Sequence, residues 1–215
     1  MQMIEIAREH DLIIFSDEIY DRLVLDGLQH TSTAKLAPDL TVVTMTGLSK
    51  SHSLCGYRCG WMVISGPRKR TEEYRKGIVQ LTSLRLCSNA LAQLVIPAAL
   101  ADCETPASMV RPGGRYFEQR RAPIETLDKI EGISYVKNVA AFYLFPKLDV
   151  KKFNITSDKQ FARDLLTEAK ILVVPGSGFD GPDPDHFRIV MLPEAGELRA
   201  AMERMGNFLD GYKQK

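Results

Sequence analysis

Short apolar runs alternate along the chain with longer segments in which apolar and charged residues follow a helical spacing. The first run ends at Asp17 and is continuously apolar, so we expect it to form a buried strand. All the apolar runs have the length of strands, and they predict strands at residues 12–16, 41–45, 61–64, 134–136, 141–145, 171–174 and 187–190.

Residues 1–10 have the pattern of the second half of an amphipathic helix. Strands that alternate with helices indicate an α/β fold, with a mainly parallel sheet in the first half of the chain. The second half has fewer strands with flanking helices, which suits a smaller α+β domain. Proline and glycine collect at residues 103–114, so we predict one domain over residues 1–105 and another over residues 106–215. Further helices are predicted at residues 68–101, 115–130, 158–169 and 194–213.

Charge and composition exclude several classes of protein. The 215 residues include 28 Lys+Arg and 27 Asp+Glu, a net charge of +1, so we expect no nucleic-acid or membrane binding. The longest uncharged stretch, residues 86–101, is too short and too polar to span a bilayer, and we find no secretion signal. The four cysteines form no CxxC pair and the four histidines are scattered. We therefore expect neither disulfides nor a metal site, and a cytoplasmic location.

Polar residues with catalytic potential stand at the ends of the predicted strands. In parallel α/β sheets, functional groups collect at the carboxyl ends of strands. The first strand runs into the segment D-E-I-Y at residues 17–20, and the second is followed by G-L-S-K at residues 47–50. The segment G-Y-R-C-G at residues 56–60 directly precedes the third strand.

Each candidate has a functional and an ordinary explanation. Lys50 is either a Schiff-base nucleophile, if burial lowers its pKa, or an exposed loop lysine. Asp17 either pairs with a cationic ring nitrogen or is the polar boundary of its strand. Tyr20 either contacts the same ligand or only packs against other residues of the protein. Arg58 is either a phosphate ligand or a turn arginine. Arg188, inside an apolar strand, needs an anion, which is either a substrate or an internal carboxylate.

In their order and spacing these segments resemble the second half of a class I, fold-type-I, pyridoxal-phosphate-dependent aminotransferase. The resemblance continues through A-A-F-Y-L-F-P at residues 140–146 and V-V-P-G-S at residues 173–177, so it covers essentially the whole chain. Within the class, R-L-C-S-N at residues 85–89 and H-F-R-I-V-M-L-P at residues 186–193 are most similar to the bacterial alanine aminotransferases.

The resemblance implies a role for each candidate residue. Lys50 would form the Schiff base with the cofactor and then transfer the proton. Asp17 would keep the pyridine nitrogen protonated, and Tyr20 would donate to the phenolic oxygen. Ser49 and Arg58 would bind the cofactor phosphate.

The resemblance also implies a reaction and an assembly. Arg188 would bind the α-carboxylate of the substrate, and the reaction would transfer an amino group between L-alanine and a 2-oxo acid, expected to be 2-oxoglutarate. Residues 1–105 would be the C-terminal part of the cofactor-binding large domain, and the full-length enzyme would be a homodimer. The N-terminal half of such an enzyme is not in this sequence, so we expect an inactive fragment.

Three other interpretations stay open. Another fold-type-I enzyme, a β-lyase or a decarboxylase, would use the same cofactor residues. A transcription regulator with an aminotransferase-like sensor domain would carry its DNA-binding module upstream. The isolated chain would also have no function if it were a remnant that cannot fold.

Overall fold

A three-stranded sheet forms the centre of the first of two units. Its strands are β1 (Ile14–Asp17), β2 (Val42–Gly47) and β3 (Gly60–Ser65), in the order β1-β2-β3. The computed structural model describes residues 1–215, and the first unit comprises Met1–Ser108. The α/β class predicted from the sequence is confirmed.

The sheet is mixed, because β2 is parallel to β1 but antiparallel to β3. A parallel connection needs a crossover, usually with a helix packed on the sheet. Between β2 and β3 the chain has only α3 (Leu48–Ser51) and the 3-10 turn Cys55–Tyr57. The chain therefore reverses its direction between β2 and β3. The sequence predicts a mainly parallel sheet for this half, but only one of the two strand pairings, β1 with β2, is parallel.

The apolar run at residues 12–16 is a strand, but it is not buried. Leu12 is 47%, Ile13 43% and Phe15 58% exposed. Side chains of a strand project from the two faces of the sheet, so this exposure shows that the rest of the unit covers the faces at β1 only partly. The prediction of a buried strand is therefore wrong for this chain.

The amphipathic helix predicted at the start of the chain is confirmed as α1 (Gln2–Glu9). Its buried residues Ile4 and Ala7 pack in a cluster with Leu40 and with Val42 of β2. Two further short helices belong to the elements of this half, α2 (Thr33–Leu36) and α7 (Glu104–Val110).

The long helix predicted over residues 68–101 is divided into three. The structure has α4 (Arg68–Arg85), α5 (Ala90–Gln93) and α6 (Ile96–Ala101). Helix α4 ends because Leu86 adopts φ 62°, in the left-handed region that a right-handed helix cannot contain.

The second unit, Met109–Lys215, contains two small antiparallel sheets with flanking helices, as expected for an α+β domain. One sheet pairs β4 with β6, and the other has the order β5-β8-β7. The strands are β4 (Ile133–Ser134), β5 (Tyr143–Leu144), β6 (Lys147–Leu148), β7 (Val174–Pro175) and β8 (Phe187–Val190). The helices are α8 (Arg115–Leu127), α9 (Val150–Phe153), α10 (Asp158–Ala169) and α11 (Ala195–Leu209).

The core of the second unit is built around three fully buried aromatic residues, Phe153, Phe161 and Phe187. The rings of Phe161 and Phe187 lie 5.2 Å apart. The two units divide after Ser108, and the predicted domain boundary follows residue 105. No helix in the structure combines the length and the apolar character that crossing a membrane requires.

Gln214, next to the last residue, ties the C-terminal segment to the start of α10. It is 2% exposed, and its Oε1 accepts the backbone N–H groups of Thr156 at 2.6 Å and Ser157 at 2.8 Å. Its Nε2 donates to the carbonyl of Ser157 at 2.8 Å, and its own N–H donates to the carbonyl of Phe153 at 2.9 Å. The side chain thus satisfies backbone groups that the packed C-terminus shields from water.

Gln214→Ala is expected to lower the free energy of unfolding of the second unit by about 2 kcal/mol, because buried N–H groups lose their acceptor. Urea unfolding followed by circular dichroism measures the change. The matched control is Lys215→Ala at the exposed neighbouring position, which should change the stability by less than about 0.5 kcal/mol. Equal stability of Gln214→Ala and the parent chain would contradict this role.

Candidate active site

The carboxyl ends of β1 and β2 lie side by side at one end of the sheet. The strands are parallel, and Asp17, the last residue of β1, pairs in register with Met45 of β2. On the other side of β2, Gly47 pairs with Gly60 at the start of β3. The register therefore brings the segments after β1, after β2 and before β3 to the same end of the sheet.

Gly47 allows β2 and β3 to approach closely at this end. A Cβ at this position would lie 2.7 Å from the carbonyl oxygen of Cys59 and 2.9 Å from the Cα of Gly60. The N–H of Leu48 donates to the same Cys59 carbonyl at 3.3 Å, and Ser51 Oγ donates to the carbonyl of Gly47 at 3.2 Å. The short helix that follows β2 is thus held against the start of β3.

Ser49 and Lys50 lie on this short helix, α3, directly after β2. Both residues are half-buried. Lys50 therefore lies directly after a strand end, as the sequence predicts.

Arg58 follows the 3-10 turn and lies two residues before Gly60, the first residue of β3. Its backbone adopts φ 53° and ψ 46°, the left-handed conformation, and its Nη1 donates to the carbonyl of Cys55 at 2.9 Å. The residue is exposed, so the guanidinium is accessible to an anion such as a phosphate.

Asp17 and Tyr20 occupy the segment that leaves β1. The carboxylate Oδ1 of Asp17 accepts the backbone N–H of Ile19 at 3.1 Å, and the residue is exposed. Tyr20 is half-buried in the turn that follows. Both side chains belong to the segment that the sheet register places beside the end of β2.

Glu18, between these two candidates, was not selected from the sequence. It is 8% exposed, and this burial alone would raise the pKa of its carboxyl. Hydrogen bonds from His30, Thr33, Ser32 and Ser16 outweigh the burial and hold the pKa below its usual value. The sequence signal for this cluster is the H-T-S-T segment that follows the D-E pair.

The side chains at this end of the sheet suit the chemistry of pyridoxal phosphate. A guanidinium and a hydroxyl can donate hydrogen bonds to the phosphate of the cofactor. A carboxylate can accept the hydrogen bond of its protonated pyridine nitrogen, and a phenol can donate to its phenolic oxygen. A lysine amine matches the aldehyde carbon. These side chains are those of Asp17, Tyr20, Ser49, Lys50 and Arg58, and no cluster of His, Cys, Asp or Glu in the structure is arranged to hold a metal ion.

Arg188 belongs to the second unit, where it lies in β8 and pairs in register with Val174. Its guanidinium carbon is 4.7 Å from the ring centre of Tyr143 and 4.8 Å from that of Phe179. Its Nε is buried and has no hydrogen-bond partner. A guanidinium flanked by two aromatic rings, with one N–H unpaired, is suited to a planar carboxylate.

A buried carboxylate and a histidine lie next to Arg188 in sequence. Asp185 accepts from Lys147 Nζ at 3.0 Å and lies 2.5 Å from His186 Nδ1. The ring of His186 stacks on Phe145, which makes an edge contact with Phe179. Burial would raise the pKa of Asp185, but the hydrogen bonds from Lys147 and His186 outweigh it and hold the pKa below its usual 3.8.

Comparison with known proteins identifies the class. The model of the family "Aminotransferase class I and II" matches residues 1–205. Glutamate-pyruvate aminotransferase AlaA of Escherichia coli (strain K12) is 45% identical over 214 residues, which are 100% of this chain and 53% of that protein.

Solved structures agree. A crystal structure of an aminotransferase from Escherichia coli superposes with a TM-score of 0.94 at 45% identity, covering 100% of this chain and 53% of that one. Alanine aminotransferase from Pyrococcus furiosus gives a TM-score of 0.89 at 36% identity, covering 97% of this chain and 52% of the other.

The chain belongs to the class I and II aminotransferase family. The fold and the family implied by the sequence motifs are thereby confirmed, and the cofactor of this family is pyridoxal phosphate. The chain spans about half the length of the relatives that it matches.

Asp185→Asn is expected to destabilise the second unit near neutral pH, because Lys147 and His186 lose a charged acceptor. The folded-state pKa of Asp185 is lowered, so its contribution is fully present above the usual value of 3.8 and is lost as the pH falls through the folded pKa. Urea unfolding across the pH range should therefore show parent and variant converging in acid. A difference in stability between parent and variant that stays the same from neutral to acidic pH would contradict this. Asp210→Asn, at an exposed position, is the control.

Proposed function

We propose that this chain carries the lysine-bearing part of a pyridoxal-phosphate-dependent aminotransferase, which transfers an amino group between L-alanine and 2-oxoglutarate. The observation that carries the proposal is the placement of Asp17, Lys50 and Arg58 at one end of the sheet by strand register. The names of the relatives, glutamate-pyruvate and alanine aminotransferases, support the choice of substrates.

When bound, pyridoxal phosphate supplies an electron-withdrawing ring next to the α-carbon of the amino acid. Lys50 would hold the cofactor at its aldehyde group through Nζ, and the same amine would accept and return the proton of the substrate α-carbon. The carboxylate of Asp17 keeps the ring nitrogen protonated. The hydroxyl of Tyr20 donates to the phenolic oxygen.

The phosphate and the substrate are bound by groups with complementary charge. Arg58 and the hydroxyl of Ser49 hold the phosphate, since an exposed guanidinium and a hydroxyl on α3 are both near the end of β2. Arg188 binds the α-carboxylate of the substrate with its guanidinium, and the contacts with the rings of Tyr143 and Phe179 restrict the rotation of that group.

A β-lyase or a decarboxylase would use the same residues around the cofactor, so the site alone does not separate these reactions. The separation rests on the aminotransferase names of the relatives. A lyase releases ammonia, whereas an aminotransferase retains the amino group as pyridoxamine phosphate. A transcription regulator would carry its DNA-binding module outside these residues, so the preference for an enzyme also rests on the aminotransferase names of the relatives.

Labelling of Lys50 tests the proposal directly. The purified chain is incubated with pyridoxal phosphate, reduced with borohydride and mapped by mass spectrometry. We expect stoichiometric label on Lys50, because its amine is held beside the other cofactor-binding groups. Lys50→Arg should remove the label, whereas the control Lys35→Arg, at an exposed position on α2, should leave it unchanged. Label spread over many lysines, or retained in Lys50→Arg, would overturn the proposal.

The 215-residue chain alone is expected to show no detectable turnover of L-alanine with 2-oxoglutarate, because it spans about half of the active relatives. A coupled assay of pyruvate formation, with the full-length Escherichia coli relative as the positive control, measures this. Turnover above the rate of Lys50→Arg would show that the described residues suffice for catalysis.

A further inference from the structure

Glu18 is a buried carboxylate that the proposed chemistry does not use. Its Oε1 accepts hydrogen bonds from Ser16 Oγ at 3.0 Å, from Ser32 Oγ at 3.1 Å and from the backbone N–H of Thr33 at 2.9 Å. Its Oε2 lies 2.9 Å from Nε2 of His30. Both carboxylate oxygens are therefore engaged by groups of the protein itself.

These contacts join two segments that are distant in sequence. Ser16 is in β1, while His30, Ser32 and Thr33 lie in the stretch that leads into α2. A direct contact of 2.9 Å between the hydroxyls of Ser16 and Thr33 reinforces the link. The carboxylate of Glu18 is thus the centre of a cluster that fastens the connection after β1 back onto the strand.

The cluster lies next to the proposed ring-nitrogen ligand. Side chains of consecutive residues in extended chain point to opposite sides, so the burial of Glu18 accompanies the exposure of Asp17. The N–H of Glu18 donates to the carbonyl of Met45 at 2.8 Å, which ties the same backbone to β2. On the far side of Glu18, the N–H of Ile19 donates to the carboxylate of Asp17 at 3.1 Å.

We infer that Glu18 is a positioning residue: its side-chain hydrogen bonds hold the turn at residues 17–19, so that the Asp17 carboxylate faces the pyridine nitrogen of the cofactor. This inference rests on the proposed function for the role of Asp17. The geometry that Glu18 imposes on the turn is independent of any ligand.

Two variants test the inference. Glu18→Gln keeps the size of the side chain but replaces one acceptor oxygen by a donor, and Glu18→Ala removes every side-chain contact. Glu73→Gln, on the exposed face of α4, is the matched control for the loss of one carboxylate. Circular dichroism and urea unfolding establish that each variant is folded, and Glu18→Gln serves if Glu18→Ala does not fold.

The first measurement needs no cofactor. Amide hydrogen exchange by NMR should show the Ile19 N–H exchanging about tenfold faster in the Glu18 variants, because its bond to Asp17 loosens when the turn is no longer held. The amides of α10 should exchange at the parent rate. An unchanged Ile19 rate in a folded Glu18 variant overturns the inference, whether or not Lys50 takes up cofactor.

The second measurement separates positioning from a merely structural role. With pyridoxal phosphate bound, the visible absorbance band titrates with pH, and its midpoint depends on the charge next to the ring nitrogen. We expect the midpoint to shift in Glu18→Gln and to stay unchanged in Glu73→Gln. Faster Ile19 exchange without a shift of the midpoint would overturn the positioning role, while absence of label on Lys50 in the parent chain is the separate failure of the proposed function.

Discussion

The close approach of β2 and β3 at Gly47 and Gly60 is the constraint on which the candidate site depends. A Cβ on Gly60 would lie 2.9 Å from the carbonyl oxygen of Thr46, and a Cβ on Gly47 would meet the backbone of the facing strand. Because the strands converge there, residues 48–59 form a compact loop that leaves and re-enters the sheet at the same end. Lys50 lies near the start of this loop and Arg58 near its end.

The parallel pairing of β1 with β2 brings the carboxylate-bearing residue Asp17 to the same end of the sheet. A parallel pair needs a crossover, and here residues 18–41 supply it with one short helix. The hydrogen bonds of Glu18 fasten this crossover to the end of β1. The connection that makes the parallel pairing possible is therefore also the one that holds the segment carrying Asp17.

The ends of β1, β2 and β3 lie within two residues of the predicted positions, because strand ends and their polar residues are local features of the chain. In the second unit, β6 was not predicted. Lys50 and Arg58 stand where the pattern placed them, although their roles are still proposals. Glu18 was missed because its partners lie up to 15 residues away and only the fold brings them together. Local helix propensity also gave no sign that Leu86 takes a left-handed φ, so the end of α4 was not foreseen.

The disagreement between the apolar pattern of β1 and its exposure has a physical meaning. A continuous apolar run is the pattern of a strand with covered faces, yet Phe15 in β1 and Val63 in β3 are more than half exposed, and Leu84 on α4 is 81% exposed. The second unit buries Phe153, Phe161 and Phe187 fully, although Val136 and Leu172 are 90% and 78% exposed there. Exposed apolar area is unfavourable by about 25 cal/mol per Å². The exposed side chains of β1 therefore carry a free-energy cost in this chain that a strand covered on both faces would not have.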